Sequence, residues 1–128
     1  MKNSPAGAAL VALALLTPSL AAANVALRPI MQRWNHSRRL IDAMLAGRQP
    51  YDPVTVTAAV RLYIADARTV SAHVTSKSAE AHDFAARFAR FAQDAEAAGA
   101  ASISVAAFRP HMQRLMGDCS ACHAVYKN

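Results

Sequence analysis

Beyond about residue 25, apolar side chains recur every three or four positions with polar ones between them. That is the period of a helix with one buried face. The first such stretch runs from about Ala26 to Ala46, with Leu27, Ile30, Trp34, Ile41 and Met44 on one stripe and Met31 beside it. Gly47 follows as a stop, and Gln49-Pro50-Tyr51 reads as a loop. Asp52-Pro53 opens the second stretch as an N-cap acid followed by proline at the first helical position. Its stripe is Val56, Val60, Tyr63, Ala67, Val70 and Val74. After the polar Thr75-Ser76-Lys77-Ser78, a third stretch from about Ala79 to Ala98 carries Ala81, Phe84, Phe88, Phe91, Ala95 and Ala98, with Gly99 as its expected end. The fourth, capped by Ser102 or Ser104, carries Val105, Phe108, Met112, Leu115, Cys119, Cys122 and Tyr126. Pro110 should kink this last stretch or mark a start nearer Arg109.

Four stretches of roughly twenty residues with short connections predict an all-α fold, an antiparallel up-down-up-down four-helix bundle. No alternating strand pattern of useful length competes with it. Short connections also fix which ends meet. The start of the first helix and the finish of the fourth fall at the same end of such a bundle.

The first residues follow a different pattern. Lys2 precedes an apolar run from Ala8 to Leu16, and Ala21-Ala22-Ala23 supplies small residues after it. This reads as a secretory signal peptide over residues 1–23, cleaved near Ala23, and the run is too short to span a membrane. The mature chain, residues 24–128, is then one small exported domain with no stable membrane insertion. Without Lys2 it holds 13 Lys and Arg against 8 Asp and Glu. The basic residues are spread out rather than clustered with aromatics, so nucleic acid is not indicated. A moderate positive field favours acidic partners or membrane surfaces, or is no more than a solvated basic surface.

The candidate chemistry lies at the end of the fourth stretch. Cys119-Ser120-Ala121-Cys122-His123 is a C-x-x-C-H sequence, the signature of covalent haem c attachment. On a helix these residues stand at i, i+3 and i+4 and share a face, so two thiols can form thioethers while the imidazole binds iron. A zinc site would want a second ligand pair, and the chain has no other cysteine. A disulfide would close too short a loop to stabilise much.

Topology brings Met31 to the same end, where its sulfur is a candidate iron ligand or a core-filling side chain. Met44 falls at the far end, while Met112 and Met116 share the helix of His123 and are less well placed. Trp34 is a candidate haem contact one turn beyond Met31. Arg28 could pair with a haem propionate or remain solvated. Tyr126 is a further candidate contact. His36, His73, His82 and His111 read as surface residues, and Lys127 as a cation suited to a helix C-terminus.

With these residues in view, the mature chain resembles the class II c-type cytochromes, the cytochrome c′ family and its low-spin relatives. The most specific likeness is Cys119-Ser120-Ala121-Cys122-His123-Ala124-Val125-Tyr126-Lys127, similar to the family's C-x-x-C-H-x-x-[Y/F]-[R/K]. Arg28-Pro29-Ile30-Met31 and Gly47-Arg48-Gln49-Pro50-Tyr51-Asp52 resemble its first helix and first loop. Arg28 stands three residues before Met31, where the family more often shows four, and the connection after the second helix is shorter than in many members.

The resemblance implies a periplasmic four-helix bundle with one covalent haem c and His123 as proximal iron ligand. It implies a periplasmic redox partner, and family members are often homodimers. Low-spin members use the first-helix methionine, here Met31, as the distal ligand and carry electrons. The alternative branch is high-spin, with an open distal site that binds nitric oxide or carbon monoxide. The expected function is one-electron carriage by His123- and Met31-ligated iron, with no enzymatic chemistry, because no acid–base constellation accompanies the motif.

Overall fold

The structure is a computed structural model that describes residues 26–126. The expected signal peptide and Lys127 lie outside the described residues. Four helices follow in order: α1 Leu27–Leu45, α2 Pro53–Ala72, α3 Ala79–Ala100 and α4 Val105–Val125. They form the four-helix bundle that the three-and-four spacing predicts. Among the described residues no helix is long and apolar enough to cross a membrane.

Local chemistry sets most of the boundaries. The α1 helix ends in a Schellman turn, in which the Gly47 N–H donates to the Met44 carbonyl and the Arg48 N–H to the Ala43 carbonyl. Gly47 takes φ +70°, a left-handed conformation that glycine adopts without Cβ strain. At the start of α2, the Asp52 carboxylate accepts from the Val54 and Thr55 amides at 3.0 and 3.3 Å, with Pro53 just inside the helix. Ser78 caps α3 by accepting from the Ala81 amide at 3.1 Å.

One boundary differs from expectation, and two choices that the sequence leaves open are settled. Gly99 does not end α3, which continues to Ala100. The small residue instead sits against α2, where an added Cβ would lie 3.5 Å from Val60 Cγ1. Of the two candidate caps for α4, Ser104 serves, its Oγ accepting from the Ala107 amide at 3.2 Å. Ser102 is buried and joins helix ends instead, with its hydroxyl donating to the Gly99 carbonyl at 2.8 Å and lying 2.8 Å from Thr57 Oγ1. Pro110 does not delay α4 to Arg109, since the helix begins at Val105 and runs through it. Six residues in, proline forfeits one amide donor but leaves the flanking turns intact.

The predicted stripes form the core. Ile41, Val56, Val60, Ala67, Val70, Ala95, Ala98, Phe108 and Leu115 are fully shielded from solvent. Packing is uneven around the bundle. The α2–α3 seam is the closest, α3–α4 is looser, and α1 touches α2 sparsely. Alanines at 67, 92, 95 and 98 account for the tight seam, because a short side chain lets helix axes approach. Toward its finish α4 becomes progressively less buried: Phe108, Met112 and Leu115 are core residues, whereas Cys119 and Cys122 are half-buried.

Candidate functional site

A cavity of about 720 Å³ opens where the start of α1 faces the finish of α4, a size typical of cofactor pockets. From α4, Met116, Asp118, Cys119, Cys122 and His123 line it. The α1 helix contributes Arg28, Met31, Trp34 and Arg38, and Tyr63, Phe88 and Phe91 form the floor from α2 and α3. Both cysteines are free and partly buried. Burial pushes the Cys119 thiol up to about 11, with Asp118 and Cys122 adding to the effect, and burial also raises Cys122. At neutral pH both are therefore uncharged thiols. His123 remains exposed along the same wall.

The aromatic floor is locked by its own contacts. Trp34 stacks on Phe91 with ring centroids 4.6 Å apart and an interplanar angle of 15°, and meets Tyr63 edge-on at 5.4 Å. Its indole N–H donates to Asp66 Oδ2 at 2.9 Å, and Arg33 donates to both Asp66 oxygens at 3.1 and 3.2 Å. The Tyr63 hydroxyl donates to the Trp34 carbonyl at 3.3 Å. Burial raises that phenol well above its usual range, so it stays neutral.

The cysteine-bearing turn is braced from α3. Arg87 NH1 donates to the Ala121 carbonyl at 3.2 Å, and its Nε donates to Asp83 Oδ2 at 2.8 Å. The Tyr126 hydroxyl donates to the same carboxylate oxygen at 2.7 Å, and the Tyr126 ring meets Phe84 edge-on at 5.1 Å. Those two hydrogen bonds hold the Asp83 carboxyl below its usual range, that from Arg87 being the stronger. Burial and the Asp83 contact push the Tyr126 phenol up to about 12.

The residues singled out from sequence separate into two groups. Cys119, Cys122, His123, Met31, Arg28 and Trp34 all line the cavity. Tyr126 lies off its wall, buried against α3, where it anchors the end of α4. His36, His73 and His82 are exposed and His111 is partly so. The sequence reading passed over Met116, Arg38 and Arg87 as lining residues. Met116 carried a usable signal, since it precedes Cys119 by three and His123 by seven, on the flank of the same face.

The donor set fits haem c. Two free thiols and an imidazole share one helical face, the wall is largely aromatic and aliphatic, and guanidinium groups stand near enough to receive carboxylates. It does not fit a protein-caged metal ion. Among the described residues no three His, Cys, Asp or Glu side chains are grouped to hold one. No match to the chain is found among curated proteins or among solved structures. Residues 26–127, however, match the family described as Cytochrome C′, and with this cavity, this motif and this bundle the chain belongs to the cytochrome c′ family.

Proposed function

We propose that the mature chain is a periplasmic one-electron carrier with a single haem c. Cys119 and Cys122 form the thioethers, His123 is the proximal iron ligand and Met31 the distal one. The observation that carries this reading is the convergence of Met31 from α1 and the C-x-x-C-H face of α4 on one cavity. Bound haem c supplies the ferric–ferrous couple. The protein's part is positional. Each thiol adds S–H across a vinyl double bond, with no leaving group, so both must be reduced beforehand, as they are here. Arg87 steadies the turn that presents them. The locked aromatic floor excludes water and leaves little to rearrange when the charge changes. Arg28 and Arg38 offer forks for the propionates.

The chain carries out no substrate chemistry of its own on this reading. The mature chain's excess of 13 Lys and Arg over 8 Asp and Glu supports an acidic redox partner. Export rests on the signal-like residues 1–23, and the family is typically periplasmic.

Two measurements test the proposal. The intact mass of periplasmic protein should exceed that of the mature polypeptide by roughly 600 Da, the mass of one haem. The ferric spectrum should be low-spin with a methionine–iron charge-transfer band, and Met31→Ala should convert it to high-spin and admit carbon monoxide. A high-spin, carbon-monoxide-binding parent protein, unaffected by Met31→Ala, would overturn electron carriage in favour of gas binding.

A further inference from the structure

Beside the cavity, α3 and α4 share a charged quartet with no evident structural purpose. Asp94 on α3 and Asp118 on α4 are neighbours across the seam, close enough for Asp94 to raise the proton affinity of Asp118. Arg90 reaches from α3 to Asp118 Oδ1 at 3.9 Å, and Arg114 reaches from α4 to Asp94 Oδ1 at 3.8 Å. Both carboxyl side chains are mostly buried, at 16% and 17% exposure, while Arg90 and Arg114 are 77% and 69% exposed. Such long, solvated contacts neutralise little charge. The inward oxygens, Asp94 Oδ2 and Asp118 Oδ2, are buried and have no hydrogen-bond partner.

Two ionised carboxylates are acceptors only, so neither can satisfy the other. A buried acceptor without a donor is costly, and two like charges at this range repel. One proton held between the two oxygens removes both penalties, as it does wherever paired carboxyls share a site. Asp118 also lines the cavity and immediately precedes Cys119. A charge change inside the cavity is therefore felt at the pair.

We propose that Asp94 and Asp118 share one exchangeable proton whose affinity is coupled to the oxidation state of the haem iron. This rests on haem c occupying the cavity, and does not depend on Met31 as a ligand. With haem c bound, a one-electron reductant would lower the charge of the cavity by one unit. One carboxylate then takes a proton from solvent and donates its new O–H to the other. Oxidation reverses both transfers. By reciprocity, raising the pH lowers the potential over the range in which the pair titrates.

That range lies near neutrality. Burial and Asp94 push Asp118 up to about 6, against the opposing pull of Arg90 and Arg114. Other charged or titratable groups also face this region, and His123 from α4 is taken up by iron on the proposed reading. Arg38 from α1 is paired with Asp42, Tyr63 from α2 is a neutral phenol, and Cys119 beside the pair is raised to about 11 before attachment.

The test is the midpoint potential of the haem-loaded protein between about pH 4.5 and 8.5, in the parent, Asp94→Asn and Asp118→Asn. An amide keeps the shape and offers a donor where the proton was. If reduction raises the pair's proton affinity about tenfold, the potential falls by about 59 mV between its acid and alkaline plateaus. Either Asn variant should flatten this fall and hold the potential near the acid plateau. Redox-difference infrared spectra of the parent should show a protonated carboxyl band that appears on reduction and is absent from both variants. A pH-independent parent potential, or no such band, overturns the proposal. So does a slope that survives in both variants, which would assign the proton to the haem propionates. If the Asn variants fail to load haem, Asp94→Glu and Asp118→Glu decide: the carboxyl band should move in them, and a band unmoved in both overturns the proposal. Failure of the haem reading itself is distinct, because it leaves neither a haem spectrum nor a potential.

Discussion

The two ends of the bundle are built to different standards. At the end where α1 passes to α2 and α3 to α4, the chain completes its own structure. Ile41, Val56, Ala98 and Phe108 exclude solvent altogether, and loop polar groups find partners across the bundle. The Tyr51 hydroxyl donates to the Ser102 carbonyl at 2.9 Å, and Arg109 donates to the Leu45 carbonyl at 2.7 Å. On the side of the opposite end where α1 faces α4, the same stripes stop short. Met31, Cys119 and Cys122 are half-buried around a cavity, and two carboxylate oxygens beside it lack donors. The same helix period thus runs through one sealed end and one receptive end, and the difference lies in what each stripe carries in its last two turns.

Replacing both Cys119 and Cys122 by alanine should strike the receptive end hardest. The expected result is complete loss of haem that survives denaturation, read by haem stain and intact mass, with helical content measured alongside. Retention of covalent haem would dissolve the contrast.

Phe108→Ala should strike the sealed end. Phe108 is fully buried at the far end, and such truncations cost about 3–5 kcal/mol. Denaturant unfolding of the haem-loaded protein should show that loss. The absorption spectrum of the still-folded protein should match the parent, because the cavity is at the other end. A changed spectrum would mean that the ends are coupled.

A third measurement sharpens the comparison within the cavity. In the haem-free chain, Cys119 should react with an alkylating reagent at neutral pH at least about tenfold more slowly than a cysteine in a model peptide. Its thiol is raised to about 11, and the thiolate is the reactive form. The rate should climb as pH rises toward that value. A fast reaction at neutral pH would show that the wall is already open to water.

The smallest effect belongs to a helix end. Asp52→Ala removes the acceptor for two amides of α2 and should lower the unfolding midpoint by less than any of the changes above. Acid should act in the same direction. The Asp52 carboxyl is held below its usual range by the bonds from Thr55 and Val54, so its contribution is present above the unfolded value and lost as pH falls through the lowered one. An acid limb unchanged in Asp52→Ala would remove that cap from the account.

Periodicity made the helices legible, and capping chemistry made the Asp52 and Gly47 boundaries legible as well. Gly99 misled because a glycine signals either a chain reversal or a close approach, and only the neighbouring Val60 decides between them. At the site, spacing within one helix gathered Cys119, Cys122 and His123, and antiparallel topology brought in Met31, Arg28 and Trp34. The Asp94–Asp118 pairing was not legible, because it depends on the axial register of α3 against α4, which spacing within either helix does not encode. Tyr126 shows the same limit. It continues the apolar stripe of α4, yet beyond Cys122 that stripe turns from the cavity toward Phe84.

The close α2–α3 seam bears on how the molecule is assembled in time. Those two helices meet along alanine-rich faces in the densest packing of the bundle. They form the natural last-to-open unit, so their amides should exchange with solvent most slowly. The terminal turns of α4, with Cys119 and Cys122 only half-buried, belong to the first-to-open part. On the proposed reading, the segment that takes the haem can thus come free and close again without dismantling the α2–α3 hairpin.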